Sequence, residues 1–203
     1  MLRIDDHAGG IRSIGLDRAA KRNAIGVELT LAMEAALLAA RADPAVRALV
    51  FHGIGGNFCA GMDMKDFFDS STRPPDQLAR ARSATEHWRR LLRELPQAIV
   101  TAVQGYCFGA ALPILAASDA VIAGRDARIG LPEINFGFVP GAQIVKAAVH
   151  AMAPRGIAYA ALTGRPLAPE RAQAWGLVTE VVDGDPLERA LALAGSLAAA
   201  RRD

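Results

Sequence analysis

A chain of 203 residues with 52% hydrophobic and 22% charged residues is long enough to bury a core in a single domain and too apolar to stay disordered. Its 23 basic and 21 acidic residues leave a formal charge of +2 with no long run of one sign, so no nucleic-acid groove is expected. Cys59 and Cys107, the two cysteines, have apolar or glycine neighbours and no metal-ligand spacing, which argues against a disulfide scaffold or a metal site and for a reducing cytoplasm.

Met1 to Asp6 lack the apolar segment of a signal peptide, and no apolar run approaches the roughly 18 residues of a membrane span, so a cytoplasmic protein without membrane attachment is expected. Leu2 to Ile4 and Ile11 to Leu16 flank a turn at His7-Ala8-Gly9-Gly10 and predict a strand pair. Leu29, Met33, Ala36, Leu37 and Ala40 share one face at helical spacing, and the pattern stops at Asp43-Pro44. Ala48 to Phe51 is a short apolar run entering Gly53, Gly55 and Gly56, which reads as a buried strand leading into a loop. The same order returns with a helix from Asp76 to Leu95, a buried strand from Ala98 to Val103 and a glycine loop at Gly105 to Gly109. An apolar helix over Ala110 to Ala117 and a strand over Asp119 to Ala123 follow. Beyond Gly141 prolines divide a mostly helical stretch, with one late strand reaching Val182, and Ser70 to Pro75 reads as a loop. Repeated strand, glycine loop and helix units define an α/β fold with stacked sheets.

Among chemical motifs, Gly53-Ile54-Gly55-Gly56-Asn57-Phe58 fails the dinucleotide fingerprint, because Phe58 stands where a small residue is needed. No phosphate loop, zinc-protease motif or nucleophile elbow is present, and the four histidines are scattered. Two loops place small residues and free amides just beyond a buried strand: Cys59 to Asp63, and Phe108 to Ala111, which opens a helix. Such amides suit a developing oxyanion, although the same small residues also suit plain packing of helix on sheet.

Four segments in register carry a resemblance: Arg18 to Ile25, Gly56 to Lys65, Gly105 to Asp119, and Gly130 to Gly141. In order and spacing they resemble the enoyl-CoA hydratase/isomerase (crotonase) superfamily from about Leu2 to Val182, with motifs closest to the hydroxycinnamoyl-CoA hydratase-lyase branch. The resemblance implies a spiral of repeated β-β-α units with stacked sheets as a core over residues 1–185. A short C-terminal helix over 186–203 is expected where relatives continue into a helical trimerisation region. It implies a homo-oligomer, a trimer or dimer of trimers, acting on an acyl-CoA ester, with coenzyme A as part of the substrate and no other cofactor.

Residue by residue, the resemblance implies that the backbone N–H groups of Met62 and Ala110 polarise the thioester carbonyl and that Glu133 moves protons. Burial among Ile129, Leu131, Ile134, Phe136 and Phe138 is expected to raise the Glu133 pKa. Ala60, Lys65, Lys21, Arg22 and Arg18 fall in segments that border the nucleotide, the cations as phosphate anchors. Phe67, Phe68 and Phe136 are expected to line an acyl pocket. Two departures bear on activity. Pro113 stands where two-glutamate hydratases carry a second carboxylate, and Phe67 stands where the hydroxycinnamoyl-CoA enzymes present a tyrosine. The implied activity is hydration of a 2-enoyl-CoA, with cleavage to follow in the lyase branch. Δ3,Δ2-enoyl-CoA isomerisation with one glutamate, or a non-catalytic acyl-CoA-binding role, are the alternatives.

Overall fold

The computed structural model describes residues 1–68 and 73–200, with side chains for all of these except Phe67 and Phe68. The strands β1 (Leu2–His7) and β2 (Ile11–Leu16) form the antiparallel pair read from the turn residues between them. Helix α1 (Val27–Ala42) follows and buries Leu29, Met33 and Leu37 on its inner face. The next strand, β3 (Ala48–Gly53), lies parallel to β2, which fits a run buried along its whole length. After a short helix α2 (Met64–Phe68) and the long helix α3 (Pro75–Glu94), β4 (Ala98–Val103) adds beside β3, again parallel. The loop expected at residues 70–75 lies outside the described residues at 70–72.

The glycine loop beyond β4 contains a strand that apolar periodicity does not reveal. This strand, β5 (Tyr106–Phe108), leads through a 3-10 turn at Gly109–Ala111 into helix α4 (Leu112–Ala117). The chain then makes β6 (Ala120–Gly124) beside β4 and β7 (Arg128–Gly130) beside β5. A 3-10 turn at Pro132–Phe136 precedes α5 (Ala142–Ala151), α6 (Pro154–Thr163) and α7 (Pro169–Ala174). Strand β8 (Glu180–Val182) closes the six-stranded sheet, in the order β1-β2-β3-β4-β6-β8, and α8 (Pro186–Ala200) follows.

A second, smaller sheet pairs β5 with β7, and a bridge between Cys59 and Cys107 adds the segment after β3 to it. The three middle turns, which begin at β3, β4 and β6, therefore each contribute one strand to the large sheet, one segment to the small sheet, and then helical structure. That is the spiral of stacked β-β-α units expected from the sequence. Alternation explains how the large sheet is filled: Leu49, Phe51, Ile99, Val103 and Val121 join the core beneath α1, α3 and α4. Ala48, Val50, Ala98, Val100 and Ile122 face the other way, against Ala190, Ala194 and Ala198 of α8. Alanine at every fourth position lets α8 lie close on the sheet. Helix α8 thus covers the face opposite the loops that carry the expected site.

Candidate active site

The site is built where the strands of the small sheet end. Segment 59–63 is held from both sides: Cys59 N–H donates to the Tyr106 carbonyl (2.8 Å), and Phe108 N–H donates to the Cys59 carbonyl (3.0 Å). On its other side, Ile25 N–H donates to the Gly61 carbonyl (2.7 Å) and Asp63 N–H to the Ile25 carbonyl (2.9 Å). Those two bonds flank Met62, so the Met62 N–H points away from Ile25, toward the side where Phe108 to Ala110 run. Gly61 makes this close approach possible. At φ +98° it occupies backbone space that side chains rarely enter, and a β-carbon there would stand 3.0 Å from the Phe108 carbonyl oxygen and 3.8 Å from the Ala110 nitrogen.

Ala110 lies in the 3-10 turn that opens α4, where the first N–H groups have no partner within the helix. No hydrogen-bond acceptor faces the Met62 or Ala110 N–H among the described residues. Two unengaged donors, one of them 2% exposed, therefore lie on adjoining segments, the second at the positive end of a helical run.

Glu133 completes the group. It follows β7 on the 3-10 turn, and the pairing of Phe108 with Gly130 brings that turn alongside Gly109. A β-carbon on Gly109, whose φ is +50°, would stand 2.6 Å from Glu133 Oε1. The other carboxyl oxygen, Oε2, is buried and has no hydrogen-bond partner. Burial raises the Glu133 pKa above the ordinary glutamate value, with its own backbone N–H opposing the shift. The surroundings differ from expectation in one respect. Ile129 and Leu131 are buried, but Ile134, Phe136 and Phe138 turn outward on the 3-10 turn and beyond it, Phe136 being 72% exposed. The buried neighbours of the carboxyl thus lie on the strand side, and Phe136 stands mostly in solvent. The side chains of Phe67 and Phe68 lie outside the described residues.

The expected nucleotide anchors separate into two kinds. Lys21, Arg22 and Lys65 are exposed, with the Arg22 guanidinium 5.5 Å from the centre of the Tyr106 ring. Ala60 N–H is tied to the Arg22 carbonyl (2.9 Å), which sets the 18–24 segment against the 59–63 loop. Arg18 has a structural task instead: its guanidinium donates to Asp63 Oδ2 (2.6 Å) and to the Ala24 carbonyl (3.2 Å). Burial opposes the Asp63 charge, but the Arg18 hydrogen bond and the Asp66 N–H outweigh it and hold that carboxyl below its ordinary value. Arg18 therefore positions the loop carrying Met62.

Asn23 is the residue whose role the sequence pattern leaves unstated. Fully buried at φ +57°, it accepts from Arg18 N–H and donates to the carbonyls of Ile54 (3.0 Å) and Asn57 (2.7 Å). The side-chain amide ties its own segment at Arg18 to two carbonyls of the loop after β3, and asparagine tolerates the left-handed backbone. Replacing it, Asn23→Ala, leaves two carbonyls and one N–H unpaired and is expected to cost about 3 kcal/mol, within the range for several orphaned polar groups. Urea unfolding measures this loss as a lower midpoint at unchanged slope.

Cys59 and Cys107 face each other across their bridge and are fully buried. Burial pushes the Cys59 thiol up to about 12 and the Cys107 thiol well above its ordinary value, so neither supplies a thiolate.

Comparison with known proteins places this arrangement. The chain superposes on a solved structure from Mycobacterium abscessus assigned to the enoyl-CoA hydratase/isomerase class, with a TM-score of 0.87 at 30% identity over 98% of this chain and 77% of that one. The fold is that of the crotonases. The family profile for enoyl-CoA hydratase/isomerase matches residues 6–203, and the chain belongs to that family. Among curated relatives, the hydroxycinnamoyl-CoA hydratase-lyase of Pseudomonas fluorescens is 35% identical over 175 residues, covering 85% of this chain. This chain spans 63% of that enzyme's length. The 2,3-dehydroadipyl-CoA hydratase of Escherichia coli (strain K12) is 32% identical over 191 residues, covering 90% of this chain and 70% of that enzyme.

Proposed function

We propose that this chain hydrates a 2-enoyl-CoA thioester through an enolate held by the Met62 and Ala110 N–H groups, with Glu133 moving the protons. The observation that carries this reading is the unpartnered, buried Glu133 Oε2 on the acid whose other oxygen lies against the Gly109 turn, next to two unengaged amides. Binding of the thioester oxygen by both amides withdraws charge from the conjugated double bond and makes C3 electrophilic. The Glu133 carboxylate takes a proton from water as the oxygen adds to C3, and negative charge moves onto the thioester oxygen. The enolate then collects that proton at C2 from the Glu133 carboxyl, which regenerates the carboxylate and leaves a 3-hydroxyacyl-CoA. A raised pKa suits a group that must accept and return one proton in each cycle. Lys21, Arg22 and Lys65 would meet the phosphates of coenzyme A, and the backbone around Ala60 would border its adenine.

A second reading draws on Pro113, buried in the first turn of α4. Proline carries no proton there, so a single carboxyl must do all the work, and Δ3,Δ2-enoyl-CoA isomerisation needs only one. Turnover in ¹⁸O-labelled water separates the two. Hydration incorporates the label as a hydroxyl at C3, whereas isomerisation moves the double bond without it. Binding of CoA esters with neither product would contradict both and leave an acyl-CoA-binding role.

A further inference from the structure

We propose that a basic cavity between α3, α4 and α5 binds an anionic group at the far end of the acyl chain, so that the preferred substrates are CoA esters carrying an ω-carboxylate. The cavity, of about 120 Å³, has a floor of Pro113, Ala117 and Ala147 and a rim that includes Arg93, Lys146 and His150. No acidic residue lines it. Arg93, Lys146 and His150 are exposed at its mouth and form no ion pair among the described residues. Cations from two helices gathered around a small apolar floor, without a counter-charge, suit a carboxylate attached to methylene groups.

The place of the cavity ties it to the acyl chain, and to that extent the inference rests on the function proposed above. Pro113 lies three residues beyond Ala110 and Ala117 seven, which sets the floor roughly 5 to 10 Å along the helix from the Ala110 N–H. A thioester whose carbonyl oxygen meets that N–H could bring its chain end there over about four to eight carbon–carbon bonds. Proline at 113 has a further consequence. An acid at this position would stand in the cavity wall and neutralise the rim, whereas the pyrrolidine ring leaves the cations unmatched and supplies apolar surface for the methylenes.

The test compares medium-chain 2-enoyl-CoA esters with and without an ω-carboxylate, at matched length, by kcat/KM and by calorimetry of the saturated analogues. The wild-type chain is expected to favour the carboxylated ester, and Arg93→Gln with Lys146→Gln to lower the ratio of the two kcat/KM values by about tenfold, the scale of one lost charge-assisted hydrogen bond. Equal kcat/KM for both ester classes, or a preference that survives the double substitution, would overturn the cavity assignment while leaving the hydration chemistry intact. If no ester turns over, the catalytic reading fails and calorimetry still decides. Tighter binding of the ω-carboxyacyl ester, abolished by the two substitutions, supports the subsite, and equal affinities overturn it.

Discussion

Glu133→Gln is expected to lower turnover of 2-enoyl-CoA esters by about 10²- to 10⁴-fold, the range associated with loss of a positioned general acid–base group. The substitution keeps the size of the side chain and removes its ability to take a proton, so affinity for the CoA ester should change little. Stopped-flow or steady-state assays beside calorimetry read the two effects separately. The wild-type pH profile adds a second readout. Burial raises the Glu133 pKa, and the carboxylate form starts the reaction, so kcat/KM falls as pH drops through that raised value. The acid limb should therefore lie above the ordinary glutamate range, and the limb should vanish from the residual activity of the glutamine variant.

Gly109→Ala is the second large effect, expected to reduce kcat/KM by about 10²-fold, the cost of displacing a catalytic group by roughly 1 Å. At φ +50° an alanine is tolerated at a cost of about 1 kcal/mol. Its methyl group, however, would stand 2.6 Å from Glu133 Oε1, closer than any ordinary contact. The carboxyl is the free end of a rotatable side chain and would swing aside, leaving the backbone in place. Loss of activity with only a small drop in thermal midpoint distinguishes this from general unfolding, because both are measured on the same variant. A variant that unfolds and loses activity in parallel would show that Gly109 serves the loop rather than the acid.

The sequence made the large sheet legible because β3 and β4 are mostly apolar runs, buried at every position and followed closely by glycine, as a buried parallel strand permits. The short strands β5 and β7 were not legible from periodicity. Three residues each give too little pattern, and their pairing is set by the Cys59 bridge and the register of Phe108 on Gly130, contacts distant in the chain. Glu133, Met62 and Ala110 could be named from motifs alone, yet not the reason they meet. That reason lies in the positive φ angles of Gly61 and Gly109 and in the bonds that leave the Met62 N–H unengaged. The Arg18 bridge to Asp63 was equally hidden, since a basic residue in a loop reads as an anchor until its partner 45 residues away is seen. Phe136 differs from the sequence expectation for a related reason: an aromatic residue near a buried acid suggests burial, but the 3-10 turn leaves it mostly in solvent. The basic cavity has no signature in the sequence, because Arg93 and Lys146 come from separate helices and form no run.

Hydrogen exchange at C2 of a saturated acyl-CoA in deuterated water isolates the enolate step, since nothing can be added or expelled. If the two amides hold the thioester oxygen while Glu133 reaches the neighbouring carbon, the wild-type chain should incorporate deuterium at C2 and Glu133→Gln should not. Exchange at equal rates in both proteins, or none in the wild type with the ester demonstrably bound, would contradict the account.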